Sequence, residues 1–228
     1  MERSPADPGA LIARGRAADV YALDAERVLR RYRTAYSSAA EAGLMRYLRQ
    51  AGYPVPEVFA ADGPDLVMER LDGRDMLADL ESRPWRAARH GRTLARLHDQ
   101  LHQIPAPPGL PQPFGPGDQI VHLDLHPANV MLTSGGPVVI DWTNAAAGPA
   151  GTDVAMAWLI MSSSDLDDVP WWLRPAVGTV RAVVVRRFRS AVRDDPAPYL
   201  AQVARYRMKD LNVRPAEVVR LRPFTREN

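Results

Sequence analysis

Ile120–Trp142 reads IVHLDLHPANVMLTSGGPVVIDW, and the fold turns on how this stretch is parsed. Short runs rich in Val and Ile flank one polar segment and a second, Ser134-Gly135-Gly136. β-Branched residues suit strands and Gly-Gly suits a tight turn. The pattern predicts a strand over Ile120–Leu123, a loop over Asp124–Asn129, and a hairpin of Val130–Leu132 and Val138–Ile140. Asp141 follows the second hairpin strand directly. Asp124, Asn129 and Asp141 are therefore expected at one end of one small sheet. Two carboxylates and an amide are hard oxygen donors, the set that suits Mg²⁺ and phosphate groups. Asp124 is the candidate base that takes a proton from an incoming hydroxyl, while Asn129 and Asp141 are the candidate Mg²⁺ ligands.

His122, Asp124, Leu125 and Asn129 have the spacing H-x-D-L-x-x-x-N, which resembles the kinase catalytic loop. The longer stretch HLDLHPANVML followed by VVIDWTNAAAGPAGTDVAMAW resembles the aminoglycoside phosphotransferase and choline kinase group, small-molecule kinases with a protein-kinase-like fold. The resemblance is strongest from His122 to Trp158, and His126-Pro127 is similar to this group rather than to protein kinases. Leu123 stands where protein kinases carry the Arg that reads a phosphorylated activation loop. Asp141 to Asp153 leaves little room for such a loop, and no A-P-E follows. The resemblance implies an α+β, two-lobed fold: a small antiparallel-sheet N-terminal lobe over residues 1–72, with the hinge at its end, and a mainly helical catalytic and substrate lobe over residues 73–228. It implies transfer of the γ-phosphoryl of ATP or GTP to a hydroxyl of a small molecule. An aminoglycoside, another amino sugar or an amino alcohol is the implied acceptor.

Upstream, Leu11-Ile12, Val20–Leu23 and Val28-Leu29 are short apolar runs read as three antiparallel strands. Gly15–Asp19 would be the first turn, in the place of a nucleotide-covering loop but with one Gly. VLRRYR (Val28–Arg33) resembles the strand that presents the family's phosphate-binding lysine, and Arg30 occupies that position. Arg keeps the charge and can grip phosphate with two N–H groups, in a geometry unlike lysine's. Period-two alternation puts Arg30 and Arg31 on opposite faces. Ser37–Ala51 has helical apolar spacing and is stopped by Gly52 and Pro54. Within it Glu41 either pairs with Arg30, as the resemblance implies, or closes a capping box with Ser38. Tyr53–Gly73 reads as an extended segment and two strands about an Asp62-Gly63-Pro64 turn. Its Met-Glu-x-Leu then resembles a hinge: Met68 against adenine, with the Glu69 carbonyl and the Leu71 N–H on the purine edge.

A long helix is expected from Ser82-Arg83-Pro84 through Leu101, and LARLH (Leu94–His98) resembles the central helix of the family's second lobe, with His98 structural. Ile104–Asp118 is a stiff Pro/Gly linker. Asp153 is expected to cap a helix over Val154–Ser162 and, by the resemblance, to brace the catalytic loop. Helices from about Pro170 to Val192 and Pro196 to Leu211 follow, then a basic, Pro-broken tail. Asp165, Asp167 and Asp168, beside Trp171 and Trp172, either cap a helix or receive an amine-bearing acceptor.

The whole chain of 228 residues carries a formal charge of only +2, with Lys209 the single lysine, so nothing points to nucleic acid. Cys is absent, which excludes disulfides and fits a reducing compartment. The N-terminal MERSPADPGA has no apolar signal core, and Val154–Met161 is too short to span a bilayer. The expectation is a cytoplasmic protein with no membrane association and no obligate protein partner. The competing readings are a nucleotide-binding pseudokinase or interaction module, suggested by Arg30 and the Gly-poor turn, and a metal-dependent hydrolase, which leaves the N-terminal half unexplained.

Overall fold

The structure, a computed structural model, describes residues 9–15, 17–33, 37–164, 169–210 and 213–225. The chain divides into two compact units: Met1–Arg74 with Met131–Thr143, and Asp75–Val130 with Asn144–Asn228.

The first unit is built on a five-stranded antiparallel sheet of β1 (Leu11–Arg14), β2 (Ala18–Ala22), β3 (Arg27–Tyr32), β4 (Val58–Asp62) and β5 (Asp65–Glu69), in the order β1-β2-β3-β5-β4. Arg30 lies opposite Val20 on one side and Leu66 on the other, so β3 is paired along both edges and its alternate side chains face opposite surfaces. Helix α1 (Ala39–Gln50) buries Ala42, Leu44, Met45 and Leu48, each large side chain contributing about 1.5–3 kcal/mol. It ends where Gly52, at φ +79°, turns back and donates its N–H to the Arg49 carbonyl. Ser38 does not cap it; the Ser38 hydroxyl donates to the Asp65 carbonyl instead.

The hairpin of β8 (Val130–Thr133) and β9 (Gly136–Val139), with the short β6 (Arg74–Asp75) beside β8, largely belongs to this first unit. Its anchors are visible. Val139 N–H donates to the Pro54 carbonyl at 2.8 Å, and the buried Trp142 meets the Tyr53 ring edge-on at 5.7 Å. Gly73 is required: at φ +96°, a Cβ there would lie 2.1 Å from the Leu132 carbonyl oxygen.

The second unit is mostly helical. It contains α2 (Met76–Ser82), capped by the Asp75 carboxylate; a 3-10 turn Pro84–Arg86; α3 (Ala87–Leu101); α4 (Ala150–Ser163); α5 (Arg174–Arg189); α6 (Leu200–Arg207); and α7 (Pro215–Leu221). Helix α4 is buried on nearly every side, and Ala155, Met156, Leu159 and Ile160 pack with Phe114, Leu123, Val203, Ala204 and Leu221 in one core. Helices α3 and α5 meet at Gly91, where a Cβ would lie 2.5 Å from the Val184 carbonyl oxygen.

Several expected boundaries move. The strand expected over Ile120–Leu123 is β7 (Gln119–Val121), and it pairs with β10 (Ala146–Gly148), not with the hairpin. Two small sheets thus stand in place of one, and Leu123, at φ +61°, ends the extended run after β7. Helix α3 starts at Ala87, after Pro84 has headed its own 3-10 turn. Pro149 occupies the N-cap position of α4, so Asp153 lies inside the first turn and is not the cap. Helix α5 is shorter than Pro170–Val192. The segment after Pro196 is a 3-10 turn, Ala197–Tyr199, followed by α6, and the tail forms α7 with Pro215 in its first turn.

Candidate active site

In the first unit, β3 and α1 bring Arg30 and Glu41 together, and the segment after β9 adds Asp141 and Thr143. The Arg30 guanidinium donates to Glu41 Oε1 at 3.2 Å, Asp141 Oδ1 at 2.6 Å and Thr143 Oγ1 at 3.3 Å. It also lies 4.9 Å from the centre of the Tyr32 ring. Glu41, 3 % exposed, accepts further hydrogen bonds from the Tyr32 hydroxyl and, at 3.2 Å, from the Trp142 backbone N–H. Burial pushes the Glu41 carboxyl up, against the opposing pull of Arg30 and the Tyr32 hydroxyl. Burial also works against the charge on Arg30, but Asp141 and Glu41 outweigh it and hold the guanidinium protonated even more firmly than usual. Asp141 sits at φ +66°, a costly angle for a non-glycine residue. Its carboxylate is fixed from two directions, since Thr143 Oγ1 donates to Oδ1 at 2.9 Å.

Arg31, on the opposite face of β3, forms a two-pronged pair with Asp65, both contacts 2.7 Å. Of the two arginines, only Arg30 therefore reaches Glu41 and Asp141. The expected hinge residues lie at and after the end of β5. Met68 and Glu69 are half-buried, and the Glu69 N–H is bonded to the Glu57 carbonyl at 2.8 Å. Leu71 follows β5 in coil and is also half-buried.

In the second unit, the loop after β7 wraps around Asp124. Asn129 ends a 3-10 turn, Pro127–Asn129, and its amide donates to the Asp124 carbonyl at 2.8 Å and to Asp124 Oδ2 at 3.0 Å. His126 Nε2 lies 3.6 Å from Asp124 Oδ1, and His122 Nδ1 accepts the Asp124 backbone N–H at 3.2 Å. His122 and Leu125 are fully buried, and Asp124 is half-buried between them. The buried neighbours anchor the loop while the carboxylate keeps access to solvent. Asp153 Oδ1 accepts the Leu123 N–H at 2.7 Å, the brace that the resemblance implies.

Asn129 and Asp141 fall in different units. Among the described residues no group of three or more His, Cys, Asp or Glu side chains is clustered as a metal site. An amide oxygen and one carboxylate nonetheless suit Mg²⁺, which commonly takes one or two protein ligands and fills the rest with phosphate and water. Sequence reading did not single out Tyr32, Thr143 and His102. Tyr32 is two residues after Arg30 on the same strand face, and His102 is four after His98 on the same helix face, so periodicity carried both signals. The acidic cluster Asp165, Asp167 and Asp168, and Arg16 in the first turn, lie outside the described residues. Trp171 and Trp172 are 79 % and 63 % exposed.

A small antiparallel sheet with a helix-rich second unit, an Asp–Asn loop and an Arg–Glu pair define an α+β fold of the protein-kinase-like class. The profile of the phosphotransferase enzyme family (APH) matches residues 9–116 and 113–187, and the chain belongs to that family. Solved structures similar to it include "Amicoumacin kinase hAmiN in complex with AMP-PNP, Ca2+ and Ami", at 16 % identity and TM-score 0.53, covering 95 % of this chain and 86 % of that one. The streptomycin-ATP-APH(2")-IIa ternary complex is 12 % identical with TM-score 0.59, covering 86 % and 82 %. A choline/ethanolamine kinase family protein from Mesorhizobium loti is 15 % identical with TM-score 0.57, covering 97 % and 89 %. No curated protein matches the sequence. Among the described residues no helix is long and apolar enough to cross a membrane.

Proposed function

We propose that this phosphotransferase moves the γ-phosphoryl of ATP or GTP to a hydroxyl of a small molecule, with an aminoglycoside, another amino sugar or an amino alcohol as the acceptor class. The observation that carries this reading is the loop of a phosphotransferase-family chain in which Asn129 holds the half-buried Asp124 carboxylate at 3.0 Å. Asp124 takes the acceptor proton as the acceptor oxygen bonds to the γ-phosphorus and the bond to the β-phosphate oxygen breaks, releasing the nucleoside diphosphate. Asn129 and Asp141 would hold Mg²⁺, which when bound neutralises charge on the phosphate oxygens. Arg30 contacts phosphate and Glu41 orients Arg30; Met68 and the backbone of Glu69 and Leu71 receive the base. The protein works in the cytoplasm on a free small molecule, without nucleic acid, membrane or obligate protein partner.

The test is calorimetric titration with ATP and with GTP, with and without Mg²⁺, followed by turnover. Mg²⁺-dependent binding that weakens in Asp141→Ala supports the assignment. Asp124→Asn is expected to keep nucleotide binding and lose roughly 10²–10⁴-fold in turnover. Full turnover in that variant overturns Asp124 as the base. One observation favours a second reading, a nucleotide-binding pseudokinase: the Arg30 guanidinium and the Asp141 carboxylate are bonded to each other at 2.6 Å. Nucleotide binding with no phosphoryl transfer to any amino sugar or amino alcohol would select that reading.

A further inference from the structure

Leu123 poses a question that the Asp153 brace answers only in part. It is a γ-branched residue at φ +61°, immediately before the proposed base. Left-handed backbone in such a residue persists only where the surroundings over-determine it. One constraint is its side chain, 4 % exposed within the core of the second unit. The other is its N–H, held by Asp153 Oδ1 at 2.7 Å. Asp153 is itself fully buried, and a lone buried carboxylate is unfavourable without partners.

Those partners form a line. Asp153 Oδ2 lies 3.0 Å from His102 Nε2, and His102 Nδ1 lies 2.8 Å from Asp194 Oδ2. His102 follows α3, Asp153 is in the first turn of α4, and Asp194 is in the segment after α5. That segment is docked on α3 and on the residue that ends it, since the Arg193 N–H also donates to Asp99 Oδ1 at 3.0 Å. It is docked on α4 as well: at Gly151 a Cβ would lie 2.6 Å from the Asp195 carbonyl oxygen. Both ring nitrogens of His102 face carboxylate oxygens, so the doubly protonated ring can donate to both at once.

We propose that His102, with Asp194 behind it, is a positioning residue for Asp124: the chain Asp194–His102–Asp153–Leu123 fixes the backbone that aims the base. This rests on the reading of Asp124 as the base, and it extends the Asp153 brace to two residues that no family motif in the sequence marks. Four groups face the network besides its members. His98 is one turn back on α3, its ring 5.9 Å from that of His102; His122 bears on Asp153 from the loop after β7; and the Arg193–Asp99 pair tethers the outer carboxylate. Burial alone would strip the proton from His102, but its hydrogen bonds to Asp153 and Asp194 win and hold it at about 9. The same bond to His102 keeps Asp153 well below the usual carboxylate range despite its burial.

The experiment measures backbone amide hydrogen exchange of the ¹⁵N-labelled full chain, alongside kcat, KM for MgATP and calorimetric nucleotide affinity, in His102→Leu and Asp194→Asn. Exchange at Leu123 is expected to rise at least tenfold in His102→Leu and less in Asp194→Asn, while amides of β3 and β5 keep wild-type rates. Turnover should fall at least tenfold with nucleotide affinity changed less than twofold. In Asp194→Asn the alkaline limb of kcat should move to lower pH. Wild-type Leu123 exchange in a folded His102→Leu overturns the proposal. If that variant does not fold, wild-type exchange and an unmoved alkaline limb in Asp194→Asn overturn it equally. The exchange readout does not require turnover: faster Leu123 exchange in a chain that transfers no phosphoryl group supports the brace and removes the proposed function alone.

Discussion

Arg30 and Arg31 are neighbours with the same charge and opposite energetic weight. Arg31 pairs with Asp65 where the two side chains keep 32 % and 16 % of their exposure, and water screens such pairs to about 0–1 kcal/mol. Arg30 is 11 % exposed and compensates Glu41, which is 1 % exposed at its side chain. Removing one partner of a buried pair leaves an uncompensated charge, at about 3–5 kcal/mol. Arg30→Met is therefore expected to lower unfolding free energy by about that amount, and Arg31→Met by no more than about 1 kcal/mol. Urea unfolding of the two variants side by side checks this. Arg30→Met/Glu41→Leu should recover part of the loss, because the uncompensated carboxylate is gone.

At the scale of elements, glycines separate tight packing from open space. Gly91 on α3 has the Val184 carbonyl 2.5 Å from where a Cβ would sit, and backbone cannot swing aside as a side-chain tip can. Gly91→Ala is expected to destabilise by about 1–3 kcal/mol. Gly43 on α1 has nothing within 4 Å of the same position, so Gly43→Ala should stabilise by about 0.4–1 kcal/mol. Denaturant midpoints of both variants give the opposite signs directly. The strands of the first sheet, helix α1 and the hairpin β8–β9 were legible in the sequence, because period-two runs, Gly-rich turns and a single apolar helix face are local signals. The Asp124–Asn129 loop was legible for the same reason, at fixed spacing within six residues. What failed was non-local. Nothing near Val121 announces that β7 pairs with Ala146–Gly148, a partner strand far along the chain. The start of α4 was misplaced because Asp153 looks like a cap, although its carboxylate serves residues 30 and 51 positions away. The contact of Thr143 with Asp141 is local, but its contact with Arg30 joins residues 113 positions apart, which no short window contains.

At the scale of the whole molecule, two buried histidines of α3 and its end shape the pH dependence of stability from opposite sides. His102 is held at about 9 against an unfolded value near 6.5, so its contribution is complete below about 6.5 and is lost as pH rises through about 9. His98 is pushed down to about 4 by burial, so the unfolded chain binds its proton more readily and stability falls as pH drops from about 6.5 through about 4. Melting temperature is expected to peak near pH 6.5, and His102→Leu should flatten the alkaline slope; a pH series of thermal melts reads it. The division of the chain has a further consequence, for anyone who wishes to cut it. The backbone passes from one unit to the other after Arg74, after Val130 and after Thr143. Residues 1–74 expressed alone lack the segment that carries Trp142, whose N–H bonds Glu41, and Val139, whose N–H bonds the Pro54 carbonyl. A fragment 75–228 carries that segment without the sheet and helix α1 of its own unit. A single protease nick after Arg74 should therefore leave one particle on a sizing column, which separates into two peptides only in denaturant.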